Sequence, residues 1–179
     1  IAVSPDVICE GGTANLQAVG GVSYVWQPAA LVNGSNQSAT VTVQPTQTTM
    51  FTVTGTDNNG CVNTDSVLVT VNPNPVVTIT AEPGDICPSQ TVAVLAASGA
   101  DAYVWGPPTG LSDPTSASVT VGLTTPGTTT YTVTGVFNGS GCTAEATYTV
   151  VVHDLPLPTL TSNAVNGRSC DDEPITFTA

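Results

Sequence analysis

Apolar and polar residues alternate with a period of two along most of this chain. In "MFTVTGT", residues 50–56, Phe51 and Val53 fall on one side and Thr52 and Thr54 on the other. A strand sends successive side chains to opposite faces, so the pattern marks strands with one buried and one solvated face. It gives strands over 1–8, 13–19, 22–27, 38–44, 49–56 and 62–71, lettered A, B, C, E, F and G. It gives the same set again over 75–82, 91–98, 101–106, 116–122, 129–137 and 143–152. No stretch holds a helical period long enough to predict a helix. The inward residues are Leu16 and Ala18 on B, Tyr24 and Trp26 on C, Phe51 and Val53 on F, and Val67, Val69 and Val71 on G. Their counterparts are Val94 and Ala96, Tyr103 and Trp105, Tyr131 and Val133, and Tyr148, Val150 and Val152. Short strands at this spacing, punctuated by Gly and Pro, predict an all-β sandwich.

The two sets match because the chain repeats itself. "ICEGGTANLQA" at Cys9 returns as "ICPSQTVAVLA" at Cys87 and opens again as "SCDDEPITFTA" at Cys170. "SYVWQP" returns as "AYVWGP", "SATVTV" as "SASVTV", and "TTMFTVTGT" as "TTTYTVTGV". Cys61 after the F–G turn returns as Cys142. The division is therefore residues 1–73, residues 74–154, and the start of a truncated third repeat over 155–179. That third repeat stops inside its second strand, so the sequence reads as a window on a longer array. The joints "NPNP" (72–75) and "DLPLP" (154–158) are proline-rich. Proline fixes φ and stiffens the backbone, so tandem sandwiches in a head-to-tail rod are expected.

Composition narrows the function. Charged residues make up 8% of the 179, with one basic residue, Arg168, and a formal net charge of −12. Nucleic-acid binding needs clustered Lys and Arg, which excludes that class of partner. No run of about 20 apolar residues is available to insert in a membrane. The opening residues lack the charged n-region of a signal peptide, so a leader is expected to have been removed or to lie upstream. Hydrophobic residues reach 40%, far above a disordered chain, and Thr, Ser and Asn supply the polar surface.

Taken together, Cys9, Gly11, Tyr24–Trp26, Thr48–Cys61 and Ser66–Val71, with their second copies, resemble the PKD-like and immunoglobulin-like tandem repeats of giant Bacteroidetes-type cell-surface adhesins. The phrase "TVTGTDNNGC" carries most of that likeness; Ser89 and "VFNGSG" depart from it. The resemblance implies an extracellular or bacterial cell-surface protein, used in adhesion or as a filament, with no catalytic residue and no cofactor. The partners it implies are neighbouring repeats of the same protein. Edge strands without guarding Lys add self-association into filaments. The alternative function is a ligand-binding accessory domain, for glycan or calcium, of a secreted enzyme.

Five cysteines without a C-x-x-C pair read as a disulfide frame of an oxidising compartment. One pairing is within repeats, Cys9–Cys61 and Cys87–Cys142, leaving Cys170 for a partner beyond the truncation. The other is between repeats: Cys9–Cys142, with Cys87 left for the missing F–G cysteine of the third repeat and Cys61 for an upstream domain. Disulfide Cα atoms lie within about 7 Å, whereas strand B alone runs roughly 20 Å. In a head-to-tail arrangement the A–B end of one sandwich faces the F–G end of the next, which favours Cys9–Cys142.

Other candidates carry little chemistry. His153, the only histidine, falls beside a joint, where a surface role is expected rather than a nucleophile–His–acid arrangement. Asp57 and Asn59 are the calcium candidates, but the second copy of that turn has no carboxylate, and Asn-Gly is itself a turn signal. Asn33, Asn36 and Asn138 fit N-x-Ser, and "DSV" at 65–67 resembles a short O-glycosylation signal of the same bacteria.

Overall fold

The computed structural model describes residues 1–88, 93–159, 161–162 and 177–178. Among them the strands are β1 (Ala2–Ser4), β2 (Val7–Cys9), β3 (Ala14–Gln17), β4 (Ser23–Gln27), β5 (Val32–Asn33), β6 (Thr40–Val43), β7 (Thr49–Thr56) and β8 (Val62–Asn72). The series continues with β9 (Thr78–Glu82), β10 (Asp85–Ile86), β11 (Ala93–Ser98), β12 (Ala102–Gly106), β13 (Ser118–Val121), β14 (Gly127–Val136) and β15 (Thr143–Val152). A short pair, β16 (Thr161–Ser162) and β17 (Phe177–Thr178), follows. Most of the third repeat expected over 155–179, including Cys170, lies outside the described residues.

Two hydrophobic cores result. The first lies between sheets β1-β3-β6-β5 and β2-β8-β7-β4. It is filled by Leu16, Trp26, Val43, Phe51 and Val69, all fully buried. The second lies between sheets β9-β11-β13 and β10-β15-β14-β12 and holds Leu95, Trp105, Val121, Tyr131 and Val150. With β5 taken as the strand D that lies between C and E, the first pair of sheets has the order A-B-E-D facing G-F-C, with β2 added beside G, the immunoglobulin-like arrangement. In the second, an isolated Leu111–Val121 bridge stands in for the short β5 edge.

Each core is centred on one tryptophan whose ring cannot be buried without a partner for its N–H. Trp26 Nε1 donates to Ser38 O at 2.9 Å, and Trp105 Nε1 donates to Ser116 O at 2.9 Å. The nearby tyrosines repeat in the same way. Tyr24 O–H donates to Gly21 O and accepts from Gly21 N; Tyr103 does the same with Ala100. Tyr131 O–H donates to Thr109 O at 2.6 Å, and burial pushes its phenol pKa up.

Two expectations need correction. The first strand is not continuous over 1–8. Its start, β1, pairs antiparallel with β3 in one sheet, and β2 crosses to pair parallel with β8 in the other. Pro5, between them, has no N–H to keep a ladder going. The second copy divides likewise, β9 pairing with β11 and β10 with β15 around Pro83. The second error is on β11. Val94 and Ala96 do not face the core; Val94 is 37% exposed, while Ala93 and Leu95 are fully buried. The cysteines are 78 residues apart but the tryptophans are 79 apart, so one residue is inserted between Cys87 and β11. A one-residue slip turns every side chain of a strand to the other face.

Candidate functional site: the joint and its cysteines

The site starts from where β2 ends. Cys9 stands opposite Asn72, the last residue of β8, so it sits where the chain leaves the first core. The turn after it is tight: Gly12 N donates to Cys9 O at 2.8 Å. A Cβ at Gly12 would lie 2.9 Å from that same oxygen, which explains the glycine. Glu10 N donates to Asn72 O at 2.9 Å, and Asn74 Nδ2 donates to Glu10 O at 3.0 Å. The departing segment is thereby tied to the turn that carries Cys9.

The opposing element is the β14–β15 hairpin. Phe137 N donates to Cys142 O at 2.9 Å, and Gly141 N donates to Phe137 O at 2.7 Å. Gly141 adopts φ 71°, a left-handed geometry that suits glycine. From outside the hairpin, Asp101 Oδ2 accepts from Asn138 N at 2.9 Å. Cys142 is held inward and is fully buried.

Cys9 and Cys142 form a disulfide, with Cα atoms 5.5 Å apart. Its Cys142 sulfur lies 4.0 Å from Asn72 O, directly beside the connecting backbone. The two cores are therefore linked twice over, by the peptide at 72–77 and by the disulfide next to it. The within-repeat pairing Cys9–Cys61 and Cys87–Cys142 is not adopted, and strand length explains why. Cys61 precedes β8 and Cys9 lies against its last residue. The 11 residues of β8 put roughly 35 Å between those ends. In the second sandwich Cys87 follows Ile86, which pairs with Val152 at the end of β15, whereas Cys142 precedes its start. Cys61 is exposed and carries no disulfide among the described residues. Cys87 is half-buried.

The remaining candidates are placed but not brought together. Asp57 Oδ1 accepts from Asn59 N and Cys61 N, both at 2.8 Å, so the carboxylate shapes the β7–β8 turn. Among the described residues no cluster of three or more His, Cys, Asp and Glu surrounds it or any other point. His153 Nε2 meets Asp85 Oδ2 at 3.2 Å, with both side chains more than half exposed. Asn33 and Asn138 are exposed, whereas the Asn36 amide donates to Trp26 O at 3.0 Å. An open pocket of about 400 Å³ lies at the far end of the first sandwich, lined by Gly20, Gly21, Tyr24, Gly55 and Cys61 among others.

Sequence reasoning missed Glu10 and Gly12, which build the joint by backbone hydrogen bonds, and Asn74 and Asp101, whose side chains bond to backbone groups there. Only the glycine and the asparagine of "NPNP" signalled a turn there.

These features define a protein of paired immunoglobulin-like sandwiches whose joint is closed by a disulfide. No protein-family model matches the chain, and no curated protein matches it. Among solved structures it is similar to the C-terminal 282-residue fragment of intimin in complex with the intimin-binding domain of the translocated intimin receptor. That likeness has a TM-score of 0.46 and 20% identity, over 90% of this chain and 65% of the other. The three N-terminal domains of the highly immunogenic outer capsid protein of bacteriophage RB49 score 0.40 at 20% identity, over 84% of this chain and 57% of the other. Murine CEACAM1b scores 0.37 at 11% identity, over 86% and 98%. At these scores the fold assignment rests on the strand order itself. Among the described residues no helix is long and apolar enough to cross a membrane.

Proposed function

We propose that this chain is a structural spacer of an extracellular adhesin or surface filament, built from tandem sandwiches in a rod and acting without catalysis. The observation that carries the reading is the Cys9–Cys142 disulfide beside the 72–77 connection. A spacer is loaded along its length, and its weak point is the joint, where few contacts cross. A covalent bridge there passes tension from β2 to the β14–β15 hairpin without unfolding what lies between. The repeats fall at 1–73 and 74–154, with a third opening at 155–179, and the resemblance to bacterial surface adhesins supports secretion to a cell surface. Partners are neighbouring repeats.

The accessory-domain alternative is less well supported. Trp26, Trp105, Phe51 and Tyr131 lie inside the cores, where they cannot stack on a sugar.

Single-molecule stretching between the chain ends tests the spacer. The disulfide spans 133 residues, which corresponds to roughly 450 Å of extended chain. The oxidised chain should withhold that length until a reductant is added. Release of the full length without reductant would defeat the proposal.

A further inference from the structure

The two sandwiches differ at equivalent ends, where residues 74–77 lead into the second and their counterparts in the first would precede Ile1. In the second, the connecting segment covers the end: Val77 packs against the core. A Cβ built on Gly135 would lie 2.5 Å from Val77 Cγ2, and one on Gly99 would run into Val76 O. The matching positions in the first sandwich are fixed by pairing, since Tyr24 faces Gly55 as Tyr103 faces Gly135. There, Gly20 has nothing within 4 Å and Gly55 meets only the Tyr24 ring, at 3.6 Å. The place filled by Val77 in one copy is the open pocket of about 400 Å³ in the other. The hairpin cysteines differ in step with this. Cys142 is fully buried and bonded, whereas Cys61, on the pocket's rim, is exposed.

We propose that this end of the first sandwich is a docking face for a preceding sandwich of the same repeat type, which seats an apolar side chain in the pocket and bonds its own β2-end cysteine to Cys61. The proposal rests on the stapled-joint reading and extends it to a second joint. The register is set by the sheets: Val3 faces Leu16 as Ala81 faces Leu95, so Ile79 corresponds to Ile1. A segment ending in the sequence of residues 76–78 directly before Ile1 brings the equivalent of Val77 to the pocket. Closing the bond takes a disulfide oxidant such as glutathione disulfide. The Cys61 thiolate attacks it and releases one glutathione thiolate. The second cysteine's thiolate then displaces the other, and the two electrons leave on two reduced glutathiones.

The test is the full chain preceded by a copy of residues 1–78 whose own Cys61 is changed to Ser, refolded in a glutathione buffer and mapped without reduction. The expected result is a peptide joining the copy's Cys9 to Cys61, with loss of Cys61 alkylation by iodoacetamide. Cys61 still alkylated beside an intact Cys9–Cys142 bond would overturn this proposal and leave the stapled joint standing. Absence of both bonds would overturn both. A Cys61–Cys61 dimer persisting in the extended chain would assign the face to a second copy and overturn it as well. A shorter extension, carrying only the sequence of residues 74–78 before Ile1, needs no new fold. It should shift the amide resonances of Gly20 and Gly55, and Val77→Ser in the extension should cancel the shift. Unmoved resonances would exclude the pocket as a seat.

Discussion

Cys9 faces Asn72 across the parallel pairing of β2 with β8, and the sulfur it bonds to lies 4.0 Å from the Asn72 carbonyl. One sulfur at a strand end therefore sits where one core gives way to the next. Closing a loop of this length restricts the unfolded chain strongly. A Cys9→Ser, Cys142→Ala double variant should lose about 2–4 kcal/mol of stability. Urea unfolding followed at Trp26 and Trp105 measures it. An unchanged midpoint would mean that the bond adds nothing to folding.

On β11 neighbouring residues should respond in opposite ways. Leu95 is fully buried and Val94 is 37% exposed. Leu95→Ala should cost about 2–5 kcal/mol through lost burial and the cavity left behind. Val94→Ala should stay within about 0.5 kcal/mol, as surface changes do. Thermal unfolding of the two variants compares them; a reversed order would place the register of β11 one residue away.

The same strand shows where legibility in the sequence ended. Period-two alternation located most strands, and the recurrence of Trp26 as Trp105 placed the cores, because burial of one face is written into residue type. Aligning the repeat on Cys87 turns Val94 inward, but one residue more separates Cys87 from β11 than separates Cys9 from β3. Alternation continues through Pro5 and so makes strand A look unbroken, while the hydrogen-bond partner changes sheet there, which a one-dimensional pattern does not record. The Cys9–Cys142 pairing, which the structure contains, was one of two left open by the sequence. Strand length argues for it, yet the turn at Gly12 is a backbone matter, and the Asn74 side-chain amide reaches the Glu10 carbonyl 64 positions away, which no local pattern records.

Two equivalent glycines should differ once each receives a methyl group. At Gly135 the new Cβ meets Val77 Cγ2 at 2.5 Å and Ala100 Cβ at 2.8 Å. Gly135→Ala should therefore cost about 1–3 kcal/mol by overpacking. At Gly55 the nearest atoms belong to the Tyr24 ring, 3.6 Å away, an ordinary contact. Gly55→Ala should be neutral or stabilise by up to about 1 kcal/mol, because alanine suits a strand better than glycine. Differential scanning calorimetry on the single variants decides it. Equal losses would show that the two ends are packed alike.

Asp113 supplies a pH-dependent prediction. Its Oδ1 accepts from Thr115 N at 2.9 Å and from Thr115 Oγ1 at 2.7 Å. Both bonds favour the ionised form, the backbone amide most, and they hold this carboxyl below its ordinary value. A group depressed in the folded state stabilises it above the unfolded pKa, and loses that effect as pH falls through the folded pKa. The turn at 113–116 should thus loosen only in acid, below the usual carboxylate range. Thr115→Val removes the hydroxyl and keeps the amide, so the Asp113 pKa should rise part of the way back and no further. Carboxyl carbon shifts followed by NMR titration give both values. A fully ordinary Asp113 in the Thr115→Val variant would show that the hydroxyl, rather than the amide, holds the charge.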